Sequence, residues 1–250
     1  MNATEGPDSP FARAYGDARL PAPATPWRRA IFSVVDLELT GLDPVEDEIV
    51  SFATVTVEGG RIKLGDAIHR LVCPRRMPDA KTIRIHGLRE SDLRGAPSLD
   101  QLLDELLAAL TGRVLVAHVA PVEVGFLRRA LAARGLELRN PVVDTALLAE
   151  ELRRLQRKPP LTRELENEAE GASSPGLSRL ARSLGLPVHR PHHADGDALT
   201  TAQVFLALAS HLEEFGAVTV GSLERQSKRR QVQSALKHVL SRLIGRFARR

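Results

Sequence analysis

Three runs that predict strands precede the first helical pattern in the chain, and they constrain the fold more than any other feature. Residues 30–39, 49–57 and 61–72 each have the length and composition of a strand. Gly59 and Gly60 separate the second run from the third, as in a hairpin turn, so the runs predict an antiparallel meander. Because strands and helices alternate after this point, the order predicts an α/β fold with a mixed sheet.

The alternation that follows the meander has readable boundaries. Ser98 and Gln101 have the spacing of a capping box, and a stripe of leucines follows on one helical face. Short apolar runs predict buried strands at residues 114–117 and 141–144. Helices are predicted at residues 121–134, 145–157, 177–184 and 195–215, with a surface loop at residues 158–176.

The composition is typical of a protein with an aliphatic core in a reducing compartment. Hydrophobic residues make up 43% of the chain but aromatic residues only 4%, so Leu, Val and Ala must build the core. The net charge of +4 favours a polyanionic partner without establishing one. Cys73 is the single cysteine, which excludes an internal disulfide. No apolar run approaches the ~20 residues of a membrane span. The N-terminus lacks a secretory pattern, so the expected location is the cytoplasm.

Three segments are expected along the chain. Residues 1–26 are rich in Pro, Ala, Gly and Asp, which predicts a flexible N-terminal arm. Residues 27–216 carry the patterns of a folded domain. Residues 217–250 predict a basic amphipathic C-terminal helix. This helix either packs on the domain, contacts nucleic-acid phosphates, or docks on a partner or a membrane surface, in that order of preference.

Two acids at the end of the first strand are the first candidates for chemistry. Asp36 and Glu38 are two residues apart, so both carboxylates lie on the same face of the strand. Two carboxylates held close together repel each other unless a cation lies between them, and a divalent metal ion is the natural choice. Taken alone, the pair is explained equally well by ordinary acids at an exposed strand end.

Two further candidate groups each lie at the start of a helix. Glu123 lies in the first turn after Pro121, where the helix dipole favours negative charge whatever its function. His192 precedes Asp197 by five residues in a loop that runs into the last predicted helix. A histidine beside a metal-held water can accept its proton near neutral pH. A surface His-Asp cluster explains this third group almost as well when it is considered alone.

The order and setting of these groups resemble the DEDDh exonucleases, which include the proofreading epsilon subunits of bacterial DNA polymerase III and their stand-alone relatives. The first motif reads Asp36-Leu37-Glu38-Leu39-Thr40-Gly41, where the family has Asp-x-Glu-Thr-Thr-Gly. His192 and Asp197 match the third motif, Asp144-Thr145 match a family Asp-Thr pair, and Ile85-His86-Gly87-Leu88 resemble a family connector. The resemblance covers residues 28–211 and implies a ribonuclease H-like mixed sheet flanked by helices.

The chain departs from the family pattern in the second motif. Glu123 stands where the family has Asp, Val119 where it usually has Asn, and Val122 where Phe is common. Glu keeps the charge but moves the carboxylate outward by one methylene. Leu39 replaces a Thr in the first motif, which is a milder change.

The resemblance implies a metal-dependent 3′→5′ exonuclease. Asp36, Glu38, Glu123 and Asp197 would hold two Mg²⁺ or Mn²⁺ ions, and His192 would deprotonate the attacking water. His193 is the less favoured base. Leu39, Thr40, Gly41 and His118 are the expected substrate contacts, although a structural hydrogen bond explains His118 at least as well. The expected partner is a nucleic-acid 3′ end, with DNA favoured over RNA, together with a possible DNA polymerase.

Two other functions stay open at this point. An exoribonuclease acting on short RNA would differ in how the site treats the ribose 2′-OH, and no motif reports on that. The changes at Glu123 and Val119 are also compatible with a nucleic-acid-binding or polymerase-associated subunit that has little activity. We favour an active enzyme because the other acids and His192 are unchanged.

Overall fold

The computed structural model describes residues 9–157, 176–216 and 218–227. Its centre is a five-stranded sheet in the order β3-β2-β1-β4-β5. The strands are β1 (Ile31–Leu39), β2 (Ile49–Glu58), β3 (Arg61–Leu71), β4 (Val114–Ala117) and β5 (Val142–Asp144). The first three strands are antiparallel, whereas β4 runs parallel to both β1 and β5. The predicted mixed α/β sheet and its opening meander are therefore confirmed.

Helices cover both faces of this sheet. They are α1 (Pro10–Asp17), α2 (Ala80–His86), α3 (Glu90–Leu93), α4 (Leu99–Leu110), α5 (Pro121–Ala132), α6 (Thr145–Leu155), α7 (Leu177–Ser183) and α8 (Ala194–Glu213). The predicted capping box is present, since Ser98 and Gln101 exchange hydrogen bonds at the start of α4. Each helix expected from periodicity within the described residues is found, with ends that shift by one to two residues.

Alternate residues of β1 enter two different cores. Phe32 and Val34 pack with residues of α6, α7 and α8. Val35 and Leu37 pack on the opposite face with residues of α1, α4 and α5. Period-two geometry therefore places Asp36 and Glu38 on the same face as Phe32 and Val34, which is the α8 face. This placement decides which helix can complete the acidic site.

The N-terminal segment differs from its prediction. Residues 9–26 were expected to belong to a flexible arm, but Ser9 caps α1, and Ala12 and Tyr15 are buried. The Tyr15 hydroxyl donates to Asn140 Oδ1 at 2.7 Å, which ties α1 to the strand region before β5. An eight-residue helix with two anchoring side chains is too short to show a periodicity in the sequence. The prediction of a flexible arm is therefore wrong for residues 9–26, and residues 1–8 lie outside the described part.

The domain also extends past its predicted end at residue 216. Residues 220–227 are helical, and Val220 and Leu223 are buried against the α8 face of the sheet. Trp27 joins the same core, where its indole Nε1 donates to Glu213 at 2.6 Å. Most of the predicted basic helix at 217–250 and nearly all of the predicted loop at 158–176 lie outside the described residues.

Candidate active site

Three carboxylates converge where β1 meets the start of α8. Oxygen atoms of Asp36, Glu38 and Asp197 all lie within 4.8 Å of one another, and each residue is half-buried. Burial raises the pKa of Asp36 well above its usual range, and the negative charges of Glu123, Asp197 and Glu38 add to that effect. Burial followed by the Asp197 charge raises the pKa of Glu38 to about 7. Holding these acids close together therefore costs free energy, and a bound cation would reduce that cost.

Asp197 is placed by a loop that it also closes. His192, with a φ of +60°, adopts the left-handed backbone conformation, and its N–H donates to Asp197 Oδ2 at 2.8 Å. Burial raises the pKa of Asp197, whereas the His192 N–H and the neighbouring histidines lower it. The imidazole of His192 is exposed beside the acids, while His193 Nδ1 lies 3.2 Å from the Pro191 carbonyl oxygen. The spacing of five residues between His192 and Asp197 thus produces a compact loop.

Glu123 reaches the same region from the first turn of α5. Its side chain is buried, and its Oε2 has no hydrogen-bond partner among the described residues. Burial raises the pKa of Glu123 to about 8, helped by the charges of Asp144 and Glu38. Glu123 is outside the group of three that lies within 4.8 Å, but its charge raises the pKa of Asp36, and the charge of Glu38 raises the pKa of Glu123. The structure thus brings the four predicted acids into one electrostatically coupled cluster.

Asp144 holds the α5 start in place, and sequence reasoning assigned it no role. Its buried carboxylate accepts from Val119 N at 3.2 Å and Ala120 N at 3.1 Å. The same carboxylate caps α6 by accepting from Ala146 N at 2.9 Å. Val119 has a φ of +60°, a strained conformation for a β-branched residue. An Asp directly before a helix predicts a helix cap. Nothing in the sequence indicates that the same carboxylate also accepts from backbone N–H groups 24 residues earlier in the chain.

The residues after Glu38 form a tight loop. Thr40 N donates to the Glu48 carbonyl at 2.9 Å, and the Thr40 hydroxyl donates to Asp47 at 3.1 Å. A Cβ on Gly41 would lie 2.3 Å from Asp47 Oδ2, so the Asp47 side chain explains the glycine. Leu39 is buried at the end of β1. The Thr40 N–H, an expected nucleotide contact, is thus already engaged within the loop.

Two histidines near the site have clear protein contacts. His118 Nδ1 lies 2.9 Å from the Thr145 hydroxyl, which agrees with the structural explanation of His118. His86, which sequence reasoning left without a role, is buried and accepts from Leu88 N at 3.0 Å. Burial lowers the pKa of His86, with the Leu39 backbone acting against this effect. His86 therefore supports the end of β1 as a neutral side chain.

The donor set fits a hard divalent cation. The three converging side chains are all carboxylates, and the buried Glu123 Oε2, which has no hydrogen-bond partner among the described residues, belongs to the same electrostatically coupled cluster. Oxygen-only sites suit Mg²⁺ and Mn²⁺ rather than zinc. A separate cavity of about 440 Å³ is lined by Cys73, Phe126 and Arg129, and none of the four acids lines it.

The comparisons with known proteins agree with this geometry. The RNase T family, described as "Exonuclease", matches residues 33–205. The chain is 33% identical over 197 residues to DNA polymerase III PolC-type of Thermotoga maritima, covering 78% of the chain and 13% of that protein. It is 35% identical over 202 residues to a DNA polymerase III subunit epsilon-like protein of Rhodobacter capsulatus, covering 80% of the chain and 26% of that protein. The chain therefore spans only a small part of these relatives.

A solved structure with a similar fold is Escherichia coli exonuclease I in complex with a dT13 oligonucleotide. Its TM-score is 0.63 at 14% identity, over 74% of this chain and 42% of that one. This similarity supports the expected ribonuclease H-like fold and nothing more specific. Because the family match covers most of the domain, the chain belongs to the exonuclease family and is thereby placed among the nuclease hydrolases. Among the described helices, none is long and apolar enough to cross a membrane.

Proposed function

We propose that this chain is a divalent-metal-dependent 3′→5′ exonuclease that releases nucleoside 5′-monophosphates from the 3′ end of DNA. The observation that carries the proposal is the convergence of Asp36, Glu38 and Asp197 within 4.8 Å, from β1 and from a helix 160 residues later in the chain. Three acids brought together and raised in pKa by burial favour a cation-binding role over ordinary surface charge.

Each residue of the site has a distinct part in this proposal. Two Mg²⁺ or Mn²⁺ ions, when bound, would supply water activation and charge neutralisation at the scissile phosphate. Asp36, Glu38 and Asp197 would hold these ions, and Glu123 would support them from α5. His192 takes one proton from the attacking water as its oxygen attacks phosphorus. The bond from phosphorus to O3′ breaks, the O3′ oxygen left on the shortened strand takes a proton from solvent, and the terminal nucleotide leaves with a 5′-phosphate.

The substrate contacts follow from the loop after β1. Because the Thr40 N–H is bonded to Glu48 and the Leu39 side chain is buried in the core on the opposite face of the sheet, the Gly41 backbone is the expected contact best placed to receive the terminal nucleotide. His118 is hydrogen-bonded to Thr145, so its role in this proposal is structural, beside α5, the helix that carries Glu123. The folded catalytic unit in this proposal is residues 27–216, with α1 and residues 220–227 packed on it.

We favour DNA as the substrate because the similar proteins are DNA polymerase III proteins and the structural neighbour is bound to DNA. The curated relatives are DNA polymerase III proteins, and exonuclease I is bound to an oligodeoxynucleotide. A chain with this role acts on single-stranded or frayed ends in proofreading or repair, and a DNA polymerase is its natural partner. A soluble cytoplasmic enzyme fits this role.

The test is hydrolysis of 5′-labelled single-stranded DNA and of the matching RNA, with Mg²⁺ or Mn²⁺, beside an Asp36→Ala control. We expect a ladder that shortens from the 3′ end, release of 5′-monophosphates, faster cleavage of DNA, and no cleavage by the control. Faster cleavage of RNA would replace the DNA assignment with the exoribonuclease alternative. Equal rates for wild type and control would show that the fold is retained for binding alone.

A further inference from the structure

A basic surface lies beside the acidic site on and just before α2. It consists of Arg75, Lys81 and Arg84, all exposed, and is called the α2 surface below. Lys81 and Arg84 are three residues apart on a helix, so their side chains lie on the same outer face of α2. Residues 75–89 contain five cations and one acid, Asp79. The surface is therefore strongly positive next to a strongly negative site.

The α2 surface is joined rigidly to the end of β1. The Thr82 hydroxyl donates to the Thr40 carbonyl oxygen at 3.1 Å, and Thr40 is two residues from Glu38. On the inner side of the same helix, His86 is buried beside the Leu39 backbone. The Glu48 carboxylate accepts from the backbone N–H of Arg75 at 2.8 Å, which fixes the loop that leads into α2. The backbone that carries the cations is thus held in place relative to the acids.

Local acids do not neutralise the α2 surface. Within the described part of the chain, no carboxylate forms an ion pair with Arg75, Lys81 or Arg84. Asp47 pairs with the neighbouring Arg76 at 3.1 Å. Asp79 accepts from Thr82 N at 2.8 Å, as the cap of α2. The charge of Asp79 also acts on Lys81, but among the described residues no ion pair forms between them, so the three cations keep donors for an external anion.

The acidic site and the α2 surface interact in opposite ways with phosphate groups. The Asp36 cluster repels phosphate unless metal ions intervene, whereas fixed exposed cations attract each phosphate they reach and release its counterions. A strand whose 3′ end lies at Glu38 carries further phosphates away from the site, and α2 borders the end of β1. Charge complementarity therefore identifies a phosphodiester backbone as the occupant of this surface.

We propose that the α2 surface binds the sugar–phosphate backbone of the DNA strand upstream of the nucleotide that is removed. This inference rests on the proposed exonuclease function and adds a path for the rest of the strand. Lysine and arginine contacts to phosphate do not depend on base identity, so the surface raises affinity for any sequence. It acts on strands long enough to reach α2 and leaves cleavage of a dinucleotide unchanged.

The test uses the full chain with Lys81→Gln and Arg84→Gln combined. Binding of a fluorescently labelled single-stranded 20-mer is followed by anisotropy in EDTA, at several salt concentrations. Each lost phosphate contact on a single strand lowers the slope of log K against log salt by about 0.7, so we expect a slope smaller by about 1.4. We also expect the KM for the 20-mer to rise about tenfold or more, while kcat for a dinucleotide is unchanged.

A matched control is available at the opposite end of the sheet. In the sheet, Arg61 of β3 lies opposite Glu58 of β2, and Glu58 lies opposite Ile31 of β1. Ile31 is seven residues along β1 from Glu38. At 3.3 Å per residue this is about 23 Å from the site. The Arg61→Gln, Lys63→Gln variant removes the same charge and should keep the wild-type slope.

The outcomes separate the surface from the enzyme function. If the Lys81, Arg84 variant binds with the same slope as the Arg61, Lys63 variant, the α2 surface is not the strand path. If the Lys81, Arg84 variant shows the expected decrease in slope but the wild type cleaves nothing, the exonuclease function is refuted and the α2 surface is kept. If both variants unfold at the same temperature as the wild type, the difference in slope reflects binding and not a loss of folding.

Discussion

The two helix starts that deliver acids to the site have similar shapes but different support. At α5, Val119 has a φ of +60° and Glu123 follows four residues later. At α8, His192 also has a φ of +60° and Asp197 follows five residues later. The α8 start is closed by Asp197 itself, which accepts from His192 N. The α5 start is closed by Asp144, which is 24 to 25 residues away in the chain.

This difference separates local from long-range organisation. A loop closed by its own proposed metal ligand needs only the right spacing, so the His192–Asp197 pattern was visible in the sequence. A loop closed by a distant carboxylate depends on the parallel pairing of β4 and β5, which places Asp144 opposite Ala117. The α5 start therefore depends on the packing of the sheet, and its acid is the one that departs from the family pattern.

The largest effect is expected for Asp197→Asn. The amide oxygen can still accept from His192 N, so the loop is retained while the negative charge at the metal site is lost. Loss of several kcal/mol of charge stabilisation lowers kcat by about 10³-fold. Steady-state hydrolysis of single-stranded DNA measures the loss. A decrease of less than about tenfold would mean that Asp197 mainly closes the loop.

Asp144→Asn should have the next largest effect, through the position of Glu123. Asp144 Oδ1 accepts from Val119 N and Ala146 N, whereas Oδ2 accepts from Ala120 N. In Asn one of these two acceptors becomes an amide NH₂ that faces a backbone donor. We expect activity to fall about 10–100-fold, with a higher Mg²⁺ concentration needed for half-maximal rate.

Ser98→Ala is the matched control for Asp144→Asn. It removes the α4 cap, at a cost of about 1 kcal/mol, far from the acids. The control should lower the melting temperature without altering the Mg²⁺ dependence. If Asp144→Asn behaves in the same way, Asp144 is a helix cap and does not position Glu123.

The pH dependence of stability should distinguish Glu123 from surface acids. Folded-state pKa values of about 7 for Glu38 and about 8 for Glu123 lie above the unfolded value for Glu of about 4.3. The stability that their protonated forms contribute is therefore present below about pH 4 and is lost as the pH rises towards 8. The melting temperature of the metal-free protein should fall across this range, by about 2–4 °C for each kcal/mol lost.

Two comparisons sharpen the pH experiment. Glu123→Gln should flatten the decrease in melting temperature with pH, while the exposed Glu46→Gln should leave it unchanged. Added Mg²⁺ should stabilise the wild type more at about pH 8 than at about pH 5, because cations bind the ionised carboxylates. A melting temperature of the metal-free protein that rises steadily with pH would contradict the burial of these acids.

The smallest effect is expected for Val119→Asn. Asn tolerates the left-handed conformation, whereas a β-branched residue is strained there by about 1 kcal/mol or more. We expect the melting temperature to rise by about 2–4 °C. Val122→Asn is the control, since Val122 lies within α5 and Asn has a lower helix propensity than most residues. A lower melting temperature for Val119→Asn would show that the Val119 side chain contributes more than its backbone strain costs.

The sequence alone predicted the strands and the helices from α4 onwards, and its resemblance to a family singled out the candidate acids. Strand periodicity put Asp36 and Glu38 on one face, and the capping box at Ser98 marked the start of α4. Spacing between His192 and Asp197 was enough to predict a loop running into a helix. These features depend on neighbours within a few residues, so local preferences are sufficient to specify them.

The tertiary structure alone decided which groups meet and how each is held. Packing of α8 on the Phe32–Val34 face of β1 brings Asp197 to Asp36 and Glu38. The anchoring of α1 by Tyr15 and the support of the α5 start by Asp144 both depend on partners more than 20 residues away. Such contacts form only after the sheet has set the distances between elements, and no local pattern in the chain encodes those distances.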